Sequence, residues 1–112
     1  ITNLLTPANF TGANQSLTAS GFQKLPGGLI IQWGITGLLD AGTSVTMTFA
    51  IAYPNSLLGI AIANAYASAA ATVDYSAGVD ANEVGMDPKA QFKIRNRGIV
   101  SQNGINYISI GY

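Results

Sequence analysis

The stretch Gly21–Gly34, GFQKLPGGLIIQWG, encodes a complete β-hairpin around the only tryptophan of the chain. Two β-prone runs flank Pro26-Gly27-Gly28. Proline presets φ at the first turn position and glycine accepts positive φ, so the chain reverses there without strain. Beyond the turn, side chains alternate between the faces of a strand. Leu29, Ile31, Trp33 and Ile35 fall on one face, and Ile30, Gln32 and Gly34 on the other. The first face is the more apolar, so it is expected to be buried, with Trp33 in the core.

The pattern continues along the chain. Thr43, Val45, Met47, Phe49, Ile51 and Tyr53 alternate with small or weakly polar residues, the cleanest period of two in the sequence. Pro54-Asn55-Ser56 then marks a turn. Residues 57–75 have helix-compatible alanines, but Gly59 and the β-branched Ile60 and Ile62 weigh against a helix, so the stretch is read as strands. Leu58, Ile60 and Ile62 would share a face with Asn64 and Tyr66, and Ala69, Ala71, Val73 and Tyr75 would form a second run. Gln91–Arg95, Ile99–Gln102 and Ile105–Tyr112 complete a meander whose last turn is Asn103-Gly104, a strong hairpin signal. The expected fold is all-β, a small antiparallel β-sandwich or open barrel of about eight short strands.

Residues 1–19 are rich in Thr, Asn, Ala and Ser and show no sustained period, so they read as a linker; residues 20–112 read as one domain. An initial Ile in place of Met points to a piece of something longer.

Composition excludes several functions. Of 112 residues, 48% are hydrophobic and only 9% charged, with net charge zero. An average soluble domain carries roughly 25% charged residues. Without an excess of Lys and Arg, neither nucleic acid nor an anionic membrane is an expected partner. With no cysteine and no histidine, thiolate chemistry and the commonest general base are absent. The apolar stretch Leu57–Ala71 is interrupted by Asn64 and Ser68 and is shorter than the ~20 residues of a membrane-spanning helix.

Charge is segregated between Asp74 and Arg97. Asp74, Asp80, Glu83 and Asp87 precede Lys89, Lys93, Arg95 and Arg97. Ser76–Lys89 lacks a clear period and reads as a long exposed loop, the kind of segment that carries function, or else as a solvated loop facing a strand of opposite charge. Sugars present C–H faces and hydroxyl rims, which aromatic rings, amides and carboxylates recognise. Tyr66, Tyr75, Asp80, Asn82 and Glu83 are therefore the candidate binding residues. A glycan-cleaving enzyme needs two carboxyls held about 5–9.5 Å apart across a cleft. These acids sit in or beside a loop, so no enzyme activity and no catalytic residue are expected. Asp80-Ala81-Asn82-Glu83 lacks the spacing and glycine of a calcium loop, so no metal and no cofactor are expected.

Three segments together resemble a known family: Gly21–Pro26 through Ile31–Gly34, Thr48–Asn55 (TFAIAYPN), and the terminal Ile105–Tyr112 (INYISIGY). They look like the C-terminal domain of bacteriophage tail fibres, over roughly Ser20–Tyr112. The sequence departs from the family pattern at Ala50, where proline is usual, and at Tyr107, where tryptophan is frequent. The resemblance implies a homotrimeric knob at the distal end of a virion fibre, with residues 1–19 as the end of the shaft. It also implies attachment to a bacterial glycan, lipopolysaccharide or outer-membrane protein. A trimerisation cap without recognition is the alternative, and a depolymerase a more remote one. In a trimer, the small-residue faces and the terminal strand are the expected contact surfaces.

Overall fold

The computed structural model describes residues 4–64, 76–81, 84–102 and 104–112. Among them are eight strands: β1 Gln15–Ser16, β2 Gly21–Lys24, β3 Ile30–Ile35, β4 Ser44–Thr48, β5 Leu57–Asn64, β6 Ala77–Asp80, β7 Gln91–Asn96 and β8 Ile105–Gly111. They form a five-stranded sheet in the order β1-β2-β3-β8-β5 and a three-stranded sheet in the order β4-β7-β6. Every pairing is antiparallel and neither sheet closes on itself, so the fold is an open sandwich. The helical pieces among the described residues are two short 3-10 turns, Pro7–Asn9 and Gly12–Asn14. This lead-in rests on β2, whose Gln23 Nε2 donates to the Phe10 carbonyl at 2.9 Å.

The expected hairpin forms. β2 and β3 pair with Phe22 opposite Gln32, and the Leu25 N–H donates to the Leu29 carbonyl at 2.8 Å to close the turn. Gly28 holds φ +99°, a conformation that a side chain would strain.

The burial of β3, however, is opposite to the sequence expectation. Ile30, Gln32 and Gly34 face the core, while Ile31 and Trp33 are half-buried on the outer face and Ile35 is exposed. Trp33 Nε1 donates to the Thr18 carbonyl at 2.9 Å, which ties the outer face to the lead-in. The inward face is chosen by fit. Gly34 leaves room for the Tyr107 ring, and a Cβ there would stand 2.5 Å from Tyr107 Cε1. Gln32, fully buried, behaves as an extra backbone unit: its Nε2 donates to the Ile51 carbonyl at 2.8 Å and its Oε1 accepts from the Ile51 N–H at 3.1 Å. Those bonds satisfy a segment that leaves the ladder, which is what makes a polar residue tolerable in the core.

An aromatic group joins the sheets. Phe49 stacks on Phe92 at 5.0 Å, and Phe92 meets Tyr107 edge-to-face at 4.8 Å, geometries that suit aromatic quadrupoles. The alternation from Val45 to Tyr53 persists in burial, with Phe49 and Tyr53 inward. Sheet pairing stops at Thr48, and the chain then crosses between sheets, held by Phe49 N–H to the Ala90 carbonyl and Tyr53 N–H to the Lys89 carbonyl, both 2.9 Å.

Three local expectations change. The pairing of β5 with β8 shifts between Leu57 and Gly59, and Leu58 is 59% exposed, whereas Leu57, Ile60 and Ile62 pack against the core. One extra residue at such an irregularity reverses the face of everything before it. The stretch 76–89 is not wholly loop, because β6 pairs with β7 and sets Asp80 opposite Lys93. Ile99–Gln102 does not pair with β8; Gln102 bridges to Leu39, while β8 lies between β3 and β5. The expected strand run Ala69–Tyr75 lies outside the described residues, as does Asn103 of the Asn103-Gly104 turn.

The outer faces differ in character. On the large sheet, cross-strand rows bring Trp33, Ile108 and Ala61 together, and beside them Ile31, Ile110 and Gly59. On the small sheet, the outer rows are Ser44, Arg95 and Gly78, then Thr46, Lys93 and Asp80.

Candidate functional site

Among the described residues, β5 of the large sheet approaches β6 of the small one along one edge of the sandwich, with a groove of about 730 Å³ between them. One wall is the Asn55–Ser56 turn and the start of β5. The other is Val79–Ala81 with Asp87–Lys89. Leu57, Leu58, Ile60, Val79 and Ala81 supply an apolar lining, and Asn55, Ser56, Asp80, Asp87 and Lys89 supply polar groups. A lining of that kind can receive the C–H face of a sugar while its rim engages hydroxyls.

Both walls are fixed by hydrogen bonds. The N–H groups of Asn55 and Ser56 donate to the Tyr112 carbonyl at 2.7 and 2.8 Å, and the Tyr112 N–H donates to the Ser56 carbonyl at 2.9 Å. Across the groove, the Asp87 carbonyl accepts from the N–H groups of Ala90 and Gln91, both at 2.9 Å, while its Oδ1 accepts from the Lys89 N–H at 3.0 Å. This side-chain turn presets the loop that carries Asp87 and Lys89.

The three sequence segments singled out above converge behind the first wall. Tyr53 Oη and Ser109 Oγ share a buried hydrogen bond of 2.7 Å, and Gln32 holds Ile51. Gly111 admits no side chain, since a Cβ would lie 2.5 Å from both the Ser56 carbonyl and Tyr53 Cδ1. Each segment therefore serves the clamp between strands more than contact with a ligand.

Residues 24–112 match the C-terminal domain of gp53-like tail fiber proteins. The chain belongs to that family. Most of its length is covered by the match, and the converging segments give the physical reason why such a pattern identifies the fold.

Solved structures agree. The tail fibre domain is similar to an N-truncated R2-type pyocin tail fibre, at 27% identity and a TM-score of 0.73 over 91% of this chain. It is also similar to residues 323–691 of the R2 pyocin fibre of P. aeruginosa, at 27% identity and a TM-score of 0.72 over 91% of this chain. An N-truncated R1-type pyocin tail fibre matches at 26% identity and a TM-score of 0.64, over 98% of this chain and 99% of its own. The domain spans only 38% and 26% of the two R2 chains. No curated protein matches the chain. The domain is thus a tail-fibre component of the phage and pyocin type.

Of the candidate binding residues, Asp80 is placed: it is exposed at the end of β6 and lines the groove. Tyr66, Tyr75, Asn82 and Glu83 lie outside the described residues. Sequence reasoning placed Asp80, Asp87 and Lys89 in one segment, Ser76–Lys89, but did not link that segment to Asn55 and the start of β5, because the groove joins stretches distant in the chain. The Pro54-Asn55-Ser56 turn was a visible signal.

Proposed function

We propose that this domain is the receptor-binding tip of a tail fibre, attaching as a homotrimer to a bacterial surface glycan or lipopolysaccharide, or to an outer-membrane protein. Residues 1–19 lead in from the shaft and add β1 to the edge of the large sheet, and residues 20–112 form the body of the knob. The observation that carries this reading is the contrast in chemical character between the two outer faces. The large sheet offers an apolar surface with Ile108 56% and Ile35 40% exposed, flanked by Ala61 and Ala63, which suits close packing of copies about a symmetry axis. A shallow apolar cleft there is lined by Ala19, Trp33, Ala61, Ala63 and Ile108, among others. The groove and the polar small sheet then stay on the outside, where a receptor is met. Three identical weak sites raise avidity by ~10²–10⁴ when their spacing permits simultaneous contact. The domain binds its target without turning it over.

The test has two arms. Light scattering on the wild type is expected to give a trimer mass and on Ile108→Asp a monomer mass; a monomeric wild type sinks the assembly reading. Adsorption of the isolated domain to host cells is expected to fall for a combined Asp80→Ala, Asp87→Ala variant that melts like the wild type. The apolar face equally favours a purely structural cap, and a trimer that fails to adsorb to any host cell would select the cap.

A further inference from the structure

We infer that the outer face of the three-stranded sheet is an oxyanion-binding site, built to hold a phosphate or carboxylate substituent of the surface glycan. This rests on the receptor-binding reading and names the chemistry of the ligand. The chain has only five cationic residues, yet Lys93, Arg95 and Arg97 occupy alternate positions along β7 and just past its end. A period of two puts all three on one face. The sheet register surrounds them with small groups: Arg95 lies between Ser44 on β4 and Gly78 on β6, and Lys93 between Thr46 and Asp80. The Arg97 guanidinium lies over Gly78, where a Cβ would stand 2.7 Å from Nε and 2.9 Å from Cζ. Glycine at that position gives the guanidinium a flat bed beside Arg95.

A small cavity of about 70 Å³ is enclosed by Ser44, Gly78, Asp80, Lys93, Arg95 and Arg97, together with Val79. Among the described residues, this lining carries three cations and one acid in a chain whose net charge is zero. Among the described residues, the side chains of Arg95 and Arg97 make no hydrogen bond or ion pair. Two guanidinium groups lining one small cavity repel each other, and an oxyanion bound there offsets that repulsion while accepting N–H donors from both forks. Arginine suits this role because its planar donors match phosphate and carboxylate oxygens, and Ser44, which also lines the cavity, carries a hydroxyl that can donate. Asp80 and Val79 also line the glycan groove, so one saccharide chain can occupy the groove and set its anionic substituent on the patch.

The experiment is a titration of the full chain with glucose 6-phosphate, galacturonic acid and neutral glucose, followed by amide chemical shifts. The two anions distinguish a phosphate from a carboxylate source. At least one is expected to shift Ser44, Gly78, Arg95 and Arg97 in a salt-sensitive way, and glucose is not. A variant with Arg95→Gln and Arg97→Gln should bind that anion roughly ten- to a hundredfold more weakly with unchanged melting. Lys24→Gln, a cation on the other sheet, should bind as the wild type. No shift with either anion, equal shifts with glucose, or undiminished binding by the double arginine variant overturns the site. Host adsorption separates the two levels of the argument. A double variant that loses anion binding but adsorbs normally refutes the receptor role of the patch and leaves the tip reading intact; a wild type that binds the anion but adsorbs to no host cell refutes the tip reading and leaves the site.

Discussion

Replacing Gln32 by Glu tests whether the core depends on an amide that imitates backbone. The side chain is fully buried, and it gives one hydrogen bond to Ile51 and takes one from it. An ionised carboxylate keeps the acceptor but loses the donor, leaving the Ile51 carbonyl facing negative charge without water. A protonated carboxyl restores both bonds. Burial raises the folded-state value of such a group by up to ~3–5 units above about 4.3. With a rise of about 3 units, linkage gives a loss of roughly 3 kcal/mol at pH 7 relative to pH 4. That is a large share of the ~5–15 kcal/mol that stabilises a domain. The sign follows from the raised value: the variant's stability is present below the unfolded value of about 4.3 and is lost as pH rises toward the folded value. The assay is thermal melting of variant and wild type at matched pH, because the difference cancels titrations common to both. The gap should be small near pH 4 and grow to on the order of 10–20 °C near pH 7. Gln32→Leu, which removes both bonds without adding charge, should show a gap that does not depend on pH. A Gln32→Glu variant that melts like the wild type at neutral pH, or whose gap ignores pH, would refute the reasoning.

Gly34→Ala should cost about 1–3 kcal/mol in denaturant unfolding, because the added methyl meets the buried Tyr107 ring at 2.5 Å; unchanged stability would mean that the ring moves freely. Trp33→Ala should leave a folded domain that loses well under the ~3–5 kcal/mol of a fully buried tryptophan, while a trimer, if formed, weakens on dilution in light scattering. A variant that does not fold would return Trp33 to the core. Burial pushes the hydroxyls of Tyr53 and Tyr107 above the ordinary tyrosine range, with the nearby Tyr53 adding to the shift of Tyr107. Their contribution is therefore intact below about pH 10 and is lost as pH rises through the raised values. Melting should hold through mildly alkaline pH and then fall, with tyrosinate absorbance from these two rings appearing only as the fold is lost; early ionisation of all five tyrosines would contradict this.

Turn chemistry and alternation are local properties, and the chain alone determined what rests on them. Pro26-Gly27-Gly28 fixed a hairpin because φ preferences act within a few bonds, and the run from Val45 to Tyr53 fixed an inward face because its two sides differ sharply in size and polarity. The quoted end segments were enough to point to the family. β3 was different, since both of its faces are apolar enough to be buried, and hydrophobicity favoured the side with Trp33. Only the tertiary structure decided otherwise: Gly34 fits under Tyr107, Gln32 satisfies Ile51, and β8 on the neighbouring register supplies both Tyr107 to the core and Ile108 to the outer face. The same holds for Asn103-Gly104, whose flanks did not pair because β8 found longer partners in β3 and β5. The clustering of bases from Lys89 to Arg97 was legible in the sequence, but the alignment of Lys93, Arg95 and Arg97 along β7 and just past its end, the bed that Gly78 gives Arg97 and the groove beside Asp80 are set by the pairing of strands. A cavity is defined by what approaches from elsewhere in the chain, and no local pattern encodes that.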